Sequence, residues 1–455
     1  MKAAKRTFPL IGKQRMILGQ PGANLDIIGQ SNFRVSLLLH LTYGWDIRRL
    51  VRAISRLSNR YAALRTRFVE TDVEVRQTFD ADIEINCGES ADDNIENSAF
   101  LTEERSRAFD FRKGPLVRFS VVSLPDGSGG LQICASHLVM DARSVGIIRR
   151  DLIALYDSDS DSESEEEEPD NYPAYIIWEN SEDGRKLKAN SARAWQMLLS
   201  QRYPREVLFS TERQKTAVYD VTRQGEAGER HIKFAPISDV DEKAIGKIAI
   251  RLRLSSASIL IAALFIASQH GAPVDGEEYG SLTLVDDGRW RPDLIPLCGF
   301  FSYSLPVVVL VNGSDSFEGL ARRIHDHLVW ARQHPNLYPP VWGEFGDVTD
   351  DSFPFGATGF NVFPKTARPE AAGGVTFSRI EMAPLFSAAT SLMITVRTNT
   401  EGIGLLWDAD AAVFSEATLH KVQGSFLSAL TSGVADMCNT VEEIRRSIRE
   451  VGGMA

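Results

Sequence analysis

Residues 157–170 read DSDSDSESEEEEPD, nine acids and no base. A segment of that composition has no apolar surface to bury, so no single core can pass through it. It is expected to be a solvated, disordered linker. The chain it divides has 455 residues, already too many for one hydrophobic core. The formal charge of −11 is concentrated in this run, and the remainder carries only about −2. An acidic overall balance therefore says little about partners.

On both sides of the run the patterning mixes strand and helix periods. Between Trp45 and Tyr61, residues Ile47, Leu50, Val51, Ile54, Leu57 and Tyr61 share one helical face, with arginines opposite. Leu116–Ser123 and Leu131–His137 are β-rich runs joined by Pro125-Asp126-Gly127-Ser128-Gly129-Gly130, a hairpin signal. Ser144 is expected to cap a following helix whose apolar face is Val145, Ile148, Leu152 and Leu155. Beyond the acidic run, helix periods occupy 190–202, 238–268, 316–332 and 415–431. Strand-like runs occupy 281–286, 303–311, 391–397 and 402–407. Ser415 reads as an N-cap, and Thr440-x-x-Glu443 as a capping box. The expectation is an α/β (α+β) protein of two lobes, 1–170 and 171–455. A crossover or latch-like segment is expected near 335–374, which is too long for a plain connector.

Several function classes drop out. No basic stripe with interleaved aromatics suggests nucleic acid. The N-terminus MKAAKRTFPLIG is basic but no apolar stretch follows it, so it is not a secretory signal. Ala257–Ala267 is the longest apolar stretch and about half of what a bilayer requires. No membrane is expected, and a cytoplasmic protein is. Cys87, Cys134, Cys298 and Cys438 are scattered, against a metal cluster and in favour of a reducing compartment. There is no G-x-S-x-G elbow, no phosphate-binding glycine loop and no H-E-x-x-H pair.

What remains is His137, placed between a strand end and a helix start with Asp141 four residues on. By composition, eight histidines and 61 acids yield about one such match by chance. The neighbours of this match carry the weight. Ser136-His137-Leu138-Val139-Met140-Asp141-Ala142-Arg143-Ser144 resembles the H-H-x-x-x-D-G-x-S core of nonribosomal peptide synthetase condensation domains. Arg60-Tyr61-Ala62-Ala63-Leu64-Arg65-Thr66-Arg67-Phe68 resembles that family's R-H-E-x-L-R-T-x-F. Tyr172-Pro173-Ala174-Tyr175-Ile176-Ile177-Trp178 is similar to its Y-x-D-(F/Y)-A-V-W, and Gly299-Phe300-Phe301-Ser302-Tyr303-Ser304-Leu305-Pro306 to its G-x-F-V-N-T-L-P. Fainter echoes are Gln14-Arg15-Met16 and Ser352-Phe353-Pro354-Phe355. All six occur in the family's order.

The resemblance implies two chloramphenicol-acetyltransferase-like lobes in a V-shaped pseudo-dimer, with the active site in a tunnel between them. It implies a donor thioester on the phosphopantetheine arm of an acyl or peptidyl carrier protein entering from one face. A small-molecule or carrier-bound acceptor enters from the other, and His137 stands midway. It implies that Asp141 pairs with an arginine before the G-x-F element, most naturally Arg289. No cofactor is held permanently. With no room for adenylation or carrier segments, a free-standing condensation enzyme is expected. Acyl-CoA as donor and an inactive domain that recruits partner proteins are the alternatives.

The chemistry agrees. Amide or ester formation from a thioester needs an uncharged nucleophile, and an imidazole with an unperturbed pKa of about 6.5 accepts its proton near neutrality. Positioning in a tunnel can contribute more than the base. Three of the chain's departures from the family fall at the site. Ser136 stands for the first His, Ala142 for the Gly, and Tyr303 for the Asn. Ser136, Ala142, Tyr303 and Ser304 are therefore the expected substrate-side positions, and Ala142 adds a methyl where a positive φ would favour Gly.

Overall fold

The computed structural model describes residues 6–18, 25–26, 33–158, 170–200, 229–268, 278–335, 358–363, 369–380, 391–399 and 402–452. Most of the acidic run, the Ser352–Phe355 element and much of 335–374 lie outside them.

The strands before the acidic run are β1 (Arg34–Leu41), β2 (Arg67–Glu70), β3 (Val75–Thr78), β4 (Glu84–Glu89), β5 (Val117–Ser123) and β6 (Gly129–Ser136). After it come β7 (Arg230–Pro236), β8 (Tyr279–Asp286), β9 (Tyr303–Leu310), β10 (Thr358–Val362), β11 (Glu370–Ala372), β12 (Val375–Ile380), β13 (Leu392–Asn399) and β14 (Gly402–Asp410). They form a sheet ordered β11-β12-β1-β6-β5-β4 and a second ordered β7-β14-β13-β10-β8-β9, with β2 and β3 as a separate pair.

The expected hairpin is β5–β6, antiparallel, with Val117 opposite Ala135. β1 gives no alternating strand signal, because RVSLLLHL has three leucines in a row; it pairs with β6 along its whole length. β12 closes the other flank of β1, with Phe377 opposite Leu41. Residues far beyond the acidic run thus complete the first sheet. Among the described residues of the 335–374 region, β10 lies in the second sheet and β11 in the first.

On one face of the first sheet pack the helices Ile47–Arg60 and Ala142–Asp157, burying Leu50, Ile54, Leu57, Ile148 and Leu152 against Leu37, Leu39, Leu131, Ile133 and Phe377. The helix Ala142–Asp157 begins two residues before Ser144. Asp141 is its cap, accepting the Ser144 N–H, and Ser144 lies inside the first turn; the expectation of a Ser144 cap is corrected. An acid at the cap both accepts the free N–H and complements the positive end of the helix dipole.

The second sheet carries its own core. The helix Ser256–Ala267 is buried from Ser258 onward and apolar on every side from Ile259, packing with Phe317–Gln333 and Glu416–Ala435. The apparent single helix over 238–268 is two, Asp239–Leu252 and Ser256–Ala267, broken at Arg253 with φ 54°. Ser415 and the Thr440–Glu443 capping box sit where the sequence puts them, with Glu443 accepting from the Thr440 N–H at 2.8 Å. No single helix among the described residues is long and apolar enough to cross a membrane.

Contacts join the two halves. Tyr172, Tyr175, Ile176, Leu294, Leu297 and Phe301 cluster with Phe8, Ile11 and Ala62. Cys298 and Phe300 insert into the core of the first sheet.

Candidate active site

β6 ends at Ser136, and its last rung is extended by one residue: the His137 N–H donates to the Phe33 carbonyl at 2.9 Å. The ladder stops there because residues 137–140 turn. Ser136 is buried, and its hydroxyl accepts the Leu138 N–H at 3.3 Å, tightening that turn. Leu138, Val139 and Met140 are all buried, so the turn is anchored by apolar packing on its inner side. His137 is half-buried, with Nδ1 turned inward. Its ring stacks on Phe33 at 4.6 Å and 16°, and meets Phe300 at 4.8 Å and 54°.

Asp141 is 1% exposed and saturated with donors. Oδ1 accepts from the Ser144 N–H and hydroxyl, both at 2.8 Å, and from Arg289 Nη2 at 3.2 Å. Oδ2 accepts from Arg289 Nη1 at 2.9 Å and from the N–H groups of Phe301 and Ser302 at 3.0 and 3.2 Å. Burial alone would raise the carboxyl's pKa. The Arg289 charge and the hydrogen bonds from Arg289 and Ser144 outweigh burial and hold it below the usual carboxylate range. A carboxylate so occupied has no free lone pair for shuttling protons.

Arg289 itself is spread over four acceptors. Besides Asp141 it donates to the Asp287 carbonyl at 2.8 Å, the Leu297 carbonyl at 3.0 Å and the Ser144 hydroxyl at 3.0 Å. Its guanidinium also lies 4.7 Å from the Phe301 ring centroid. Arg291, the competing candidate for the Asp141 partner, lies instead over Trp178 and pairs with Asp293. Ser144 completes the knot by accepting the Gly299 N–H at 3.0 Å. The Asp141 N–H donates to the Gly299 carbonyl at 3.2 Å. The end of β6 and the loop before β9 are therefore one bonded unit.

Ala142 is exposed in the first turn of its helix. Among the described residues only Arg253 is a non-glycine with positive φ, so Ala142 needs no glycine. Tyr303 opens β9 opposite Asp286, 4% exposed, its phenol pushed well up by burial first and by the Asp286 charge next. Ser304 is half-buried in the same strand, opposite Val285.

The residues missed by the sequence reading are Phe33 and Phe300, the two rings against His137. Phe300 occupies the variable place of the G-x-F element, and Phe33 precedes a strand whose pattern was not recognised. Ser144 was assigned only a cap, although it stands in the same short segment as His137 and Asp141.

The site thus joins a histidine at a strand end, an acid four residues on, and a buried arginine that bridges the halves of a mixed α/β chain. The Condensation domain family matches residues 28–445, and the chain belongs to that family. Malpinin synthetase of Mortierella alpina is 26% identical over 293 residues, covering 63% of this chain and 4% of the synthetase. Surfactin synthase subunit 1 of Bacillus subtilis (strain 168) is 22% identical over 403 residues, covering 88% of this chain and 11% of the subunit. The chain thus spans only a small part of the curated relatives it matches. In structure it resembles the starter condensation domain of rhizomide synthetase crystallised with C8-CoA, at TM-score 0.72 and 16% identity, with 96% of each chain covered. It also resembles a chain in the complex of the X-domain and OxyB from teicoplanin biosynthesis, at TM-score 0.72 and 18% identity, covering 98% and 97%. The fold is the chloramphenicol-acetyltransferase-like fold of condensation domains.

Proposed function

We propose that this chain transfers an acyl or aminoacyl group from a thioester to an amine or hydroxyl, with His137 as the group that accepts the nucleophile's proton. The observation that carries the reading is the half-buried imidazole at the end of β6, beside a loop delivered from the second half of the molecule. The acceptor's lone pair attacks the thioester carbonyl carbon, and the C–S bond breaks as the thiol leaves. The proton lost by the acceptor passes to His137 and from there to the departing sulfur. Asp141 and Arg289 act structurally, holding the turn that presents the imidazole. The domain assignment that accompanies this reading is 1–170 and 171–455 as the two lobes, with the crossover returning a strand to the first.

The donor proposed is the phosphopantetheine thioester of a carrier protein, since the curated relatives are synthetases. Acyl-CoA is the second reading, favoured by the likeness to a starter domain crystallised with C8-CoA. The test is a transfer assay with an acylated carrier, or the same acyl-CoA, and a panel of amines and alcohols. Wild type is expected to turn over at least one pair, and His137→Ala to lose roughly 100-fold or more in kcat. Equal turnover by the two proteins sinks the base assignment. Absence of any thioester turnover, together with retention of a protein partner, would move the chain to a recruiting role.

A further inference from the structure

We propose that Phe33 and Phe300 are positioning residues that fix the His137 imidazole from two sides, and that the Asp141–Arg289 knot acts on the imidazole through Phe300. The inference rests on the reading of His137 as the proton acceptor.

Three segments each contribute one ring. Phe33 leads into β1, His137 follows β6, and Phe300 comes from the loop before β9. The rings touch mutually: Phe33–His137 at 4.6 Å, His137–Phe300 at 4.8 Å, and Phe33–Phe300 at 6.0 Å and 69°. Phe33 is placed by the ladder, because its carbonyl takes the His137 N–H and the next pair, Arg34 and Ser136, is in register. The two side chains are therefore cross-strand neighbours, which is why they stack.

Phe300 is placed by its flanks. Gly299 before it is held through both its carbonyl, by the Asp141 N–H, and its N–H, by Ser144 Oγ. Phe301 and Ser302 after it both donate to Asp141 Oδ2. Four hydrogen bonds grip the peptides on either side of Phe300 and fix the direction of its Cα–Cβ bond. It is 2% exposed, so the position is also enforced by packing.

An imidazole has two free torsions, and a base that must meet a nucleophile within hydrogen-bond reach loses rate if either is loose. Orientation of a catalytic histidine commonly falls to a carboxylate on its second nitrogen. Here the carboxylate four residues on is fully occupied. A stacked ring on one face and a tilted ring beside it restrict the second torsion by contact. The consequence is that Asp141 governs the imidazole at one remove: it sets Phe300, and Phe300 sets His137.

The test combines kinetics with proton NMR of the histidine ring C–H signals, the His137 signals being assigned by their loss in His137→Gln. Phe33→Leu keeps apolar bulk but removes the stack, while Phe33→Tyr keeps the stack. Phe33→Leu is expected to lower kcat roughly 10- to 100-fold with KM changed less than about 3-fold, and Phe33→Tyr to stay within about 3-fold of wild type in both. In Phe33→Leu the His137 ring protons should move downfield, having lost the shielding of a stacked phenyl, while the other histidine signals stay in place. Phe300→Leu should shift the same signals. Unmoved His137 signals and unchanged kcat in Phe33→Leu overturn the inference while leaving the base reading intact. A His137→Ala protein as active as wild type overturns the base reading, and the inference with it. The NMR arm needs no substrate and separates the two failures.

Discussion

Asp170 is the last acid of the run that divides the chain, and the fold captures it. Its N–H donates to the Arg60 carbonyl at 2.8 Å, and its carboxylate accepts the Ala62 N–H at 3.3 Å. Burial pushes its pKa up to about 6, against the opposing pull of the backbone N–H groups of Ala62, Cys298 and Tyr172. A carboxyl whose folded pKa exceeds its unfolded value binds more protons when folded, so stability grows as pH falls from about 6 to about 4. From this group wild type should therefore gain about 1 kcal/mol of stability between pH 7 and pH 5. Asp170→Asn should lose that part of the gain. Urea unfolding of both proteins at the two pH values checks it, and equal gains would remove Asp170 from the account. Asp141 behaves oppositely. Its lowered pKa gives stability that is complete above the unfolded carboxylate range and lost only in stronger acid, so it adds nothing to this window. The same residue type is stabilised in one place and penalised in the other, and composition carries no trace of which is which. The Asp141 role was legible through its motif, whereas the Asp170 shift depends on burial, which only folding creates.

The turn between β8 and Arg289 shows how one element positions the site. Asp286 ends the strand and accepts the Gly288 N–H at 2.9 Å, and Gly288 takes φ +69°. A Cβ there would lie 1.9 Å from the Phe301 carbonyl oxygen, a backbone atom that cannot rotate away. Gly288→Ala is thus opposed twice, by backbone conformation and by the lack of space. It should push Arg289 and residues 299–302 apart, lowering stability by about 2 kcal/mol or more and weakening acyl transfer. Thermal melting and the transfer assay report these separately. A variant of wild-type stability and rate would show the turn to be pliable. Among the helices, those with strong periodicity were legible, and their limits moved by a few residues where a cap decided the start. Asp141 rather than Ser144 begins its helix because the carboxylate accepts the third N–H of the turn while Arg289 neutralises it. The break at Arg253 inside an apparently continuous period was not legible. Its left-handed conformation is paid for by the packing of Ser256–Ala267 behind it.

At the scale of the molecule, the first sheet depends on chain encoded more than 200 residues after its other strands. Phe377 in β12 is fully buried in the core of the first sheet, opposite Leu41 and meeting the Tyr156 ring at 5.1 Å. Phe377→Ala should cost about 3–5 kcal/mol, and the loss should fall on the first sheet rather than on the one nearest in sequence. Hydrogen exchange is the measurement. Faster exchange in β1 and β6 with β13 and β14 unchanged is the expected pattern, and faster exchange confined to β13 and β14 would contradict it. Asp157 and Glu370 strengthen the same junction, accepting from Gly373 N–H and Arg149 at 2.6 and 3.0 Å.

The two-part α/β mixture, the β5–β6 hairpin, the capped helices and the segment bearing His137 and Asp141 were fixed by local pattern, because helix periods, turn residues and short motifs act over a few neighbours. The pairing of Asp141 with Arg289 lies 148 positions apart in sequence, and it could be anticipated only through resemblance to a family. The rings on either side of His137, the crossing of β12 to β1 and the elevated carboxyl of Asp170 came from tertiary structure alone. Each is a property of distance in space between segments remote in the chain, and hydrophobic burial brings such segments together without leaving a periodic mark in either one.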